Sequence, residues 1–187
     1  MTSVFDVAGY ILENRDETTA WQLQKFCYYS KAWYLALNNK ELFPEHFGAW
    51  RNGPVCRPLY KKHEGMRYIS KKTFAYNDRR MSDDERAIVK AVLLMYGRMT
   101  GDELSERTHQ ELPWVEAREG IPEGQNSNRN VKESIMRSFY MSQEDDYKQM
   151  EDNMLLCLAN EREMHDNGKT SLKDVMKMFQ IKDEDVM

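Results

Sequence analysis

The clearest hydrophobic pattern in the chain predicts one helix that is buried almost all round, over residues 21–38. On a helical wheel, a single narrow polar stripe repeats every seven residues, and nearly all other positions are apolar. Gln24, Lys31 and Asn38 form that stripe. A helix of this kind has to be surrounded by other elements. We therefore predict a mainly α fold, a compact multi-helix domain built around a buried central helix.

Gln22 and Lys25 are polar residues of the central helix that fall outside this stripe. Thr19, followed by Gln22 three residues later, is typical of a capping box, which predicts where the helix begins and accounts for Gln22. Lys25 lies on an apolar side of the wheel, the side of Trp21. We expect Lys25 either to extend its charged end to solvent or to pair with a carboxylate.

Capping signals followed by apolar residues at helical spacing predict further helices along the chain. Three more capping boxes are Ser3 with Asp6, Ser82 with Glu85, and Thr100 with Glu103. Pro113 fits the first turn of a short helix, and another short helix is expected near residues 58–64. Asn130 is expected to cap a helix that carries Phe139 on its apolar side. The pattern therefore predicts five to seven helices in all.

The chain between these helices predicts at most a small β element. Asn52, Gly53 and Pro54 form a strong turn signal. The aromatic segment 41–50 before this turn is too apolar to be solvated, so we expect it to pack onto the central helix. Residues 66–80 lack helical periodicity, and four apolar residues there are candidates for a short extended pair, namely Tyr68, Ile69, Phe74 and Tyr76.

Composition favours a soluble globular protein. The chain has 187 residues, of which 41% are hydrophobic and 31% charged. No apolar run approaches the roughly 20 residues that a membrane span needs, and the N-terminal segment lacks the features of a signal peptide. We therefore expect a cytoplasmic protein without a membrane partner.

Charge is distributed unevenly along the chain. The net charge is −4, but residues 141–187 contain 12 acids and 6 bases, whereas residues 1–140 contain 19 acids and 21 bases. An acidic tail on a near-neutral domain makes nucleic acid an unlikely partner, because nucleic-acid binding needs clustered positive charge. The basic pairs at 71–72 and 79–80 are better explained as solvated loops.

The usual signatures of a metal site or a catalytic centre do not occur. The four histidines are scattered, without an HExxH pattern, and neither a GxSxG motif nor a phosphate-binding loop is present. The three cysteines are odd in number and far apart, which indicates buried thiols rather than a disulfide framework. We expect Cys27, on the central helix, to be the most deeply buried. No cofactor is predicted.

One segment, residues 104–114, groups residues that suit either packing or function. It contains Thr108 next to His109, and Pro113 next to Trp114. In a structural interpretation, Thr108 and His109 tie a helix junction with hydrogen bonds while Trp114 fills the core. In a functional interpretation, the same polar residues face a partner or a ligand pocket.

Taken in order, these motifs resemble the Panacea domain of SocA-like antitoxins, a family with many phage-associated members. The resemblance covers about residues 4–140 and leaves 141–187 as an acidic helical extension. Phe26 and Cys27 stand where the pattern has aliphatic residues, which we interpret as tolerated core exchanges. The most specific matches are Gln24, Lys25, Tyr28, Tyr29, Trp50, Asn52, Gly53, Pro54, Thr108, His109, Pro113 and Trp114.

The resemblance implies the antitoxin of a toxin–antitoxin module, whose partner is a toxin encoded by the neighbouring gene. Neutralisation would be by direct protein binding or, alternatively, by acting as a proteolytic adaptor that delivers the toxin to a AAA+ protease. A third possibility is a small enzyme on the same fold that uses His109 with Glu106 or Glu111.

The extension contributes its own hypothesis. It contains a predicted helical region at 143–163 and a last short helix that begins at residue 170 or 171. Along the whole extension we single out the methionines Met141, Met150, Met154, Met164, Met176 and Met178. Methionine side chains suit adaptable contact surfaces. The alternative is that these side chains pack onto the domain itself.

Overall fold

A computed structural model describes residues 1–15, 18–74, 76–77 and 80–165 of the chain, apart from the side chains of residues 164 and 165. The elements in chain order are α1 Val4–Glu13, β1 Thr18–Thr19, α2 Ala20–Asn38, β2 Phe47–Trp50, β3 Gly53–Cys56, α3 Arg57–His63, β4 Tyr68–Ile69, α4 Asp83–Tyr96, α5 Gly101–Gln110, α6 Leu112–Ala117, α7 Glu133–Met141 and α8 Glu144–His165. The mainly α prediction is confirmed, whereas the predicted number of five to seven helices is too low, because the part of the chain that the structure describes contains eight. The β structure in the described ranges consists of two small antiparallel pairs, β1 with β4 and β2 with β3.

The central helix α2 forms as predicted. The Thr19 hydroxyl accepts a hydrogen bond from the Gln22 amide at 3.2 Å, and Asn39 ends the helix in the left-handed conformation with φ 54°. Fifteen of the 19 residues of α2 are buried, because α1, α4, α5, α7 and strand β3 pack around it. One exception is Trp21, whose side chain in the first turn is 46% exposed.

The polar stripe of α2 is mostly buried as well. Lys31 is 1% exposed, and its ammonium lies 2.6 Å from a carboxylate oxygen of Glu133 on α7. The same ammonium donates to the carbonyl of Glu45 at 2.9 Å. A buried charge is tolerated only with such partners, so the stripe serves to connect α2 to its neighbours.

The turn predicted at residues 52–54 connects the two strands of a β-hairpin. Strands β2 and β3 pair antiparallel from Phe47 opposite Cys56 to Trp50 opposite Gly53. The aromatic segment before the turn therefore includes a strand, and its Phe43 and Phe47 are buried as expected.

The second strand pair differs from the expected pairing within residues 66–80. Tyr68 and Ile69 pair instead with Thr19 and Thr18. The Ala20 amide donates to the Arg67 carbonyl at 3.0 Å and extends this pairing to the start of α2.

The predicted cap of α7 at Asn130 is wrong. Asn130 pairs with Gly48 in an isolated antiparallel bridge, and the Val131 amide donates to the Phe47 carbonyl at 2.8 Å. This contact along the edge of β2 requires extended backbone, so the helix begins later and its N-cap is Lys132.

Helix α8 packs along α4 and buries part of its methionine-rich face. Met150 is fully buried and Met154 is 8% exposed. These two methionines therefore cover the protein's own core, and the prediction that they form an open contact surface is wrong. Helix α8 continues through residue 165, where the break was predicted to begin. The rest of that break, the last short helix and its methionines Met176 and Met178 lie outside the described residues, and the division of the chain at residue 140 stays a prediction.

A buried carboxylate attaches α8 to α1 and α4. Glu161 is 3% exposed and accepts from the Tyr10 hydroxyl at 2.8 Å and from the Arg86 guanidinium at 2.7 Å. The Lys90 ammonium lies 2.5 Å from the same carboxylate. Burial alone would raise the pKa of Glu161, but the hydrogen bonds from Lys90, Tyr10 and Arg86 outweigh it and hold the pKa below its usual value. None of the helices in the described ranges has the length and apolarity to cross a membrane.

Replacing Glu161 should therefore weaken the fold. Glu161→Gln keeps the size of the side chain but removes the buried negative charge that the Arg86 guanidinium and the Lys90 ammonium share, so we expect a loss of roughly 2 kcal/mol in the free energy of unfolding. Urea denaturation at pH 7 measures this loss. The control is Glu151→Gln, an exposed position on α8, where the change should stay within about 0.5 kcal/mol. Equal effects of the two substitutions would contradict the prediction.

Candidate functional site

A cleft of about 790 Å³ opens between the first turn of α2, the β2–β3 hairpin, α3 and the start of α5. Its volume lies within the range of ligand pockets, roughly 300–1,000 Å³. Four of the twelve motif residues line it, namely Gln24, Lys25, Trp50 and Asn52. The cleft is therefore the candidate functional site.

Gln24 and His63 form one part of the cleft floor. The Gln24 side-chain oxygen accepts from the Cys56 amide at 2.8 Å, which fixes the orientation of the Gln24 amide group. The Gln24 NH₂ group therefore points at His63 Nε2, 2.9 Å away. Because this nitrogen must accept, the ring is neutral and carries its proton on Nδ1. Burial lowers the pKa of His63, in agreement with a neutral ring.

Lys25 forms the other part of the floor and holds the hairpin turn. Its Nζ is buried and donates to the Asn52 carbonyl at 2.8 Å and, more weakly, to the Pro54 carbonyl at 3.4 Å. The expectation of a solvent-exposed or carboxylate-paired Lys25 is wrong, because the turn directs backbone carbonyls to this position. Burial lowers the pKa of Lys25 to about 7. A neutral amine has two N–H groups, which matches the two carbonyls.

The glycine of the turn is required by close packing. Gly53 has φ +100°, and a Cβ there would lie 2.6 Å from Lys25 Nζ and 2.8 Å from Thr108 Oγ1. Around the same turn, Ser105 donates to the Asn52 carbonyl at 3.0 Å, and Thr108 donates to the Ser105 carbonyl at 2.8 Å. Motif residues from α2, the hairpin and α5 thus meet at one point.

Four further motif residues lie where α6 contacts the hairpin and α5, namely Trp50, His109, Pro113 and Trp114. The Trp114 indole donates to the Trp50 carbonyl at 2.9 Å, and the His109 ring stacks on Trp114 with the centroids 4.2 Å apart. Pro113 is buried in the first turn of α6. The Thr108 hydroxyl donates within α5 and the His109 ring stacks, so neither side chain makes the hydrogen bond across the junction that the structural interpretation predicts. Trp114 is only partly buried. Burial lowers the pKa of His109.

Tyr28 and Tyr29 lie elsewhere, in a buried aromatic cluster. The Tyr29 ring stacks on Tyr96 with a centroid distance of 4.3 Å. The carboxylate of Glu111 accepts from the hydroxyls of Tyr29 at 3.2 Å and Tyr140 at 2.7 Å. Burial raises the pKa of Glu111 to about 7. The sequence-based hypothesis paired Glu111 with His109, but both of its oxygens are bound by tyrosines.

The described residues include no group of three or more His, Cys, Asp or Glu side chains that could hold a metal ion. All three thiols are free and buried, and Cys27 has no exposed surface. The placement expected for Cys27 is confirmed.

The open side of the cleft combines apolar and basic side chains. Trp21 and Met66 line it and are 46% and 48% exposed. Arg51 and Arg67 also line the cleft, and we refer to these two arginines as its basic wall. They belong to residues 51–72, which contain seven bases and one acid, an excess that a comparison of charge over much longer segments does not reveal.

Comparison with known families decides the assignment. The family model described as Antitoxin SocA-like, Panacea domain, matches residues 23–115, from α2 into α6. The chain carries a Panacea domain. The match includes all twelve motif residues. It leaves out α1, α7 and α8, so it is shorter than the expected range of 4–140. No curated protein and no solved structure matches the chain.

The buried amine of the Panacea domain predicts a pH dependence of stability. The pKa of Lys25 is about 7 in the folded protein and about 10.4 in the unfolded chain. Between these values the unfolded state binds more protons, so stability rises with pH. Lys25→Met removes this contribution. Between pH 7 and pH 9, we expect the free energy of unfolding of the wild type to rise by roughly 2 kcal/mol more than that of Lys25→Met.

Urea denaturation at several pH values measures this difference. The control is Lys61→Met, an exposed position on α3, for which the difference from the wild type should not change with pH. Parallel curves for the wild type and Lys25→Met would contradict a neutral Lys25 in the folded state.

Proposed function

We propose that this protein is the antitoxin of a toxin–antitoxin module and neutralises the toxin encoded beside its own gene by direct protein binding. The observation that carries the proposal is the match of residues 23–115 to the SocA-like Panacea domain. A family of antitoxins implies a toxin as partner, and the neighbouring gene is the place to look for it.

The rigidity of the domain supports direct binding. Lys25, Ser105 and Trp114 donate to carbonyls of the hairpin from three different helices. Side chains presented by this hairpin are therefore held in place before a partner arrives. Binding to a preorganised surface loses less conformational entropy, which favours tight association.

The exposed apolar side chains support a protein partner. Trp21, Met66 and Tyr68 are each about half exposed, at 46%, 48% and 51%, and the first two line the cleft. Tyr68 pairs with Thr19, directly before α2. Exposed apolar groups with a polar surround mark protein-interaction sites, and aromatic residues and methionine are enriched at such interfaces.

Co-expression with the neighbouring gene tests the proposal. We expect the neighbouring gene alone to arrest growth. Colony counts should recover when this protein is made with it. The two proteins should co-purify. The control is an untranslated copy of the antitoxin gene. A neighbouring gene that is harmless alone, or one that stays toxic beside this protein, would refute the proposal.

The same strains separate direct binding from proteolytic delivery. Direct binding predicts that rescue persists in cells lacking the candidate AAA+ protease and that the half-life of the toxin is not shortened by this protein. Rescue that disappears together with the protease, with a toxin half-life that lengthens, would establish the adaptor mechanism instead.

A further inference from the structure

We propose that the cleft beside the hairpin is the docking site for the toxin and that it receives an acidic segment of that toxin, with an apolar side chain packed against Trp21. The inference rests on the proposed function and adds to it the binding surface and the chemistry of the partner. Four observations on the cleft carry it.

The first observation is the charge of one wall. Arg51 and Arg67 are exposed and line the cleft. They belong to the segment 51–72 with its seven bases and one acid, and five further bases of that segment lie on α3 or after β4, at positions 57, 61, 62, 71 and 72. Complementary charge steers association and selects the partner. A wall of this sign fits carboxylate side chains.

The second observation adds to this charge. Thr19 and Thr100, the N-caps of α2 and α5, both line the cleft. The first turn of α2 contains no acidic residue, so the positive end of its dipole favours negative groups within about one helical turn. The first turn of α5 already carries Asp102 and Glu103, which offset its own dipole, and Asp102 lines the cleft.

The third observation is an exposed aromatic side chain. Trp21 belongs to a helix that is mostly buried, but Trp21 itself is 46% exposed and lines the cleft. Its Cβ packs so closely on α5 that a Cβ added to Gly101 would lie 2.9 Å away. Tryptophan is enriched among the residues that carry most of the binding energy of protein interfaces, and Met66 also lines the cleft.

The fourth observation favours a protein segment over nucleic acid. The chain as a whole carries a net charge of −4, which opposes a long polyanion. A short acidic segment meets mainly the local field of the cleft, because salt screens charges beyond about 8 Å. The basic wall can therefore attract a few carboxylates, while the net negative charge of the protein disfavours an extended phosphate backbone.

Charge reversal in the full-length protein tests the electrostatic part. Arg51→Glu with Arg67→Glu should weaken binding to the purified neighbouring-gene product about tenfold or more, mainly through a slower association rate. Raising the salt concentration should weaken the wild type more than the double variant. The control is Lys148→Glu combined with Lys132→Glu, two exposed cations on α8 and before α7, with an expected change of less than about twofold. Far-UV circular dichroism and thermal unfolding verify that each variant is folded.

Removing the Trp21 side chain tests the apolar part. Trp21→Ala should weaken binding about tenfold or more through faster dissociation. The control is Leu94→Ala, because Leu94 on α4 is 60% exposed and does not line the cleft. If the cleft variants bind like the wild type while the protein still neutralises the toxin, the docking site is wrong and the proposed function stands. If the wild type neither binds nor neutralises, both fall.

A genetic selection identifies the segment of the toxin. Toxin variants that regain binding to the Arg51→Glu, Arg67→Glu protein should carry Asp or Glu replaced by Lys or Arg, clustered in one segment. Suppressors scattered over the toxin without charge reversal would overturn the proposed chemistry. Nuclease treatment provides the last test. Binding that is lost on digestion, together with tight binding of a single-stranded oligonucleotide that depends on Arg51 and Arg67, would make the cleft a nucleic-acid site instead.

Discussion

The hydrogen bond from the buried Lys25 amine to the Asn52 carbonyl is the interaction on which the candidate site depends. It joins the central helix to the tip of the hairpin, and Ser105 of α5 donates to the same carbonyl. Gly53 leaves room for Lys25 and for Thr108 of α5, because any side chain at position 53 would collide with these two residues. The cleft keeps its shape as long as this contact is made, since the hairpin forms one of its walls.

The polar residues of α2 show a common principle. Gln24, Lys25 and Lys31 interrupt an apolar helix, and each is satisfied by a backbone group of the segment 45–56. A buried polar group without a partner destabilises the fold by a few kcal/mol, roughly 1–3 for an uncharged one. The same residues therefore disfavour any other position of the hairpin against the helix. Polar contacts determine the geometry here, while apolar burial provides most of the stability.

Local signals predicted the helices well, and long-range contacts explain the failures. The capping boxes at Ser3, Thr19 and Thr100 form as the sequence indicates, because each depends on residues three apart. The partner of Lys25, the edge contact of Asn130 and the attachment of Glu161 depend on residues distant in sequence, which periodicity does not reveal. The family motifs were visible in the sequence, but the cleft was not, because its walls come from four separate elements.

The attachment of α8 orders the events during synthesis of the chain. The residues that line the cleft lie between 19 and 126, and all of them leave the ribosome before Glu161 does. Tyr10, in contrast, donates its hydrogen bond to Glu161, a residue 151 positions later in the sequence. The hairpin wall therefore has all its own contacts available while Tyr10 and Arg86 still lack the carboxylate of Glu161. The attachment of α8 through Glu161 can form only after the whole cleft lining has been synthesised.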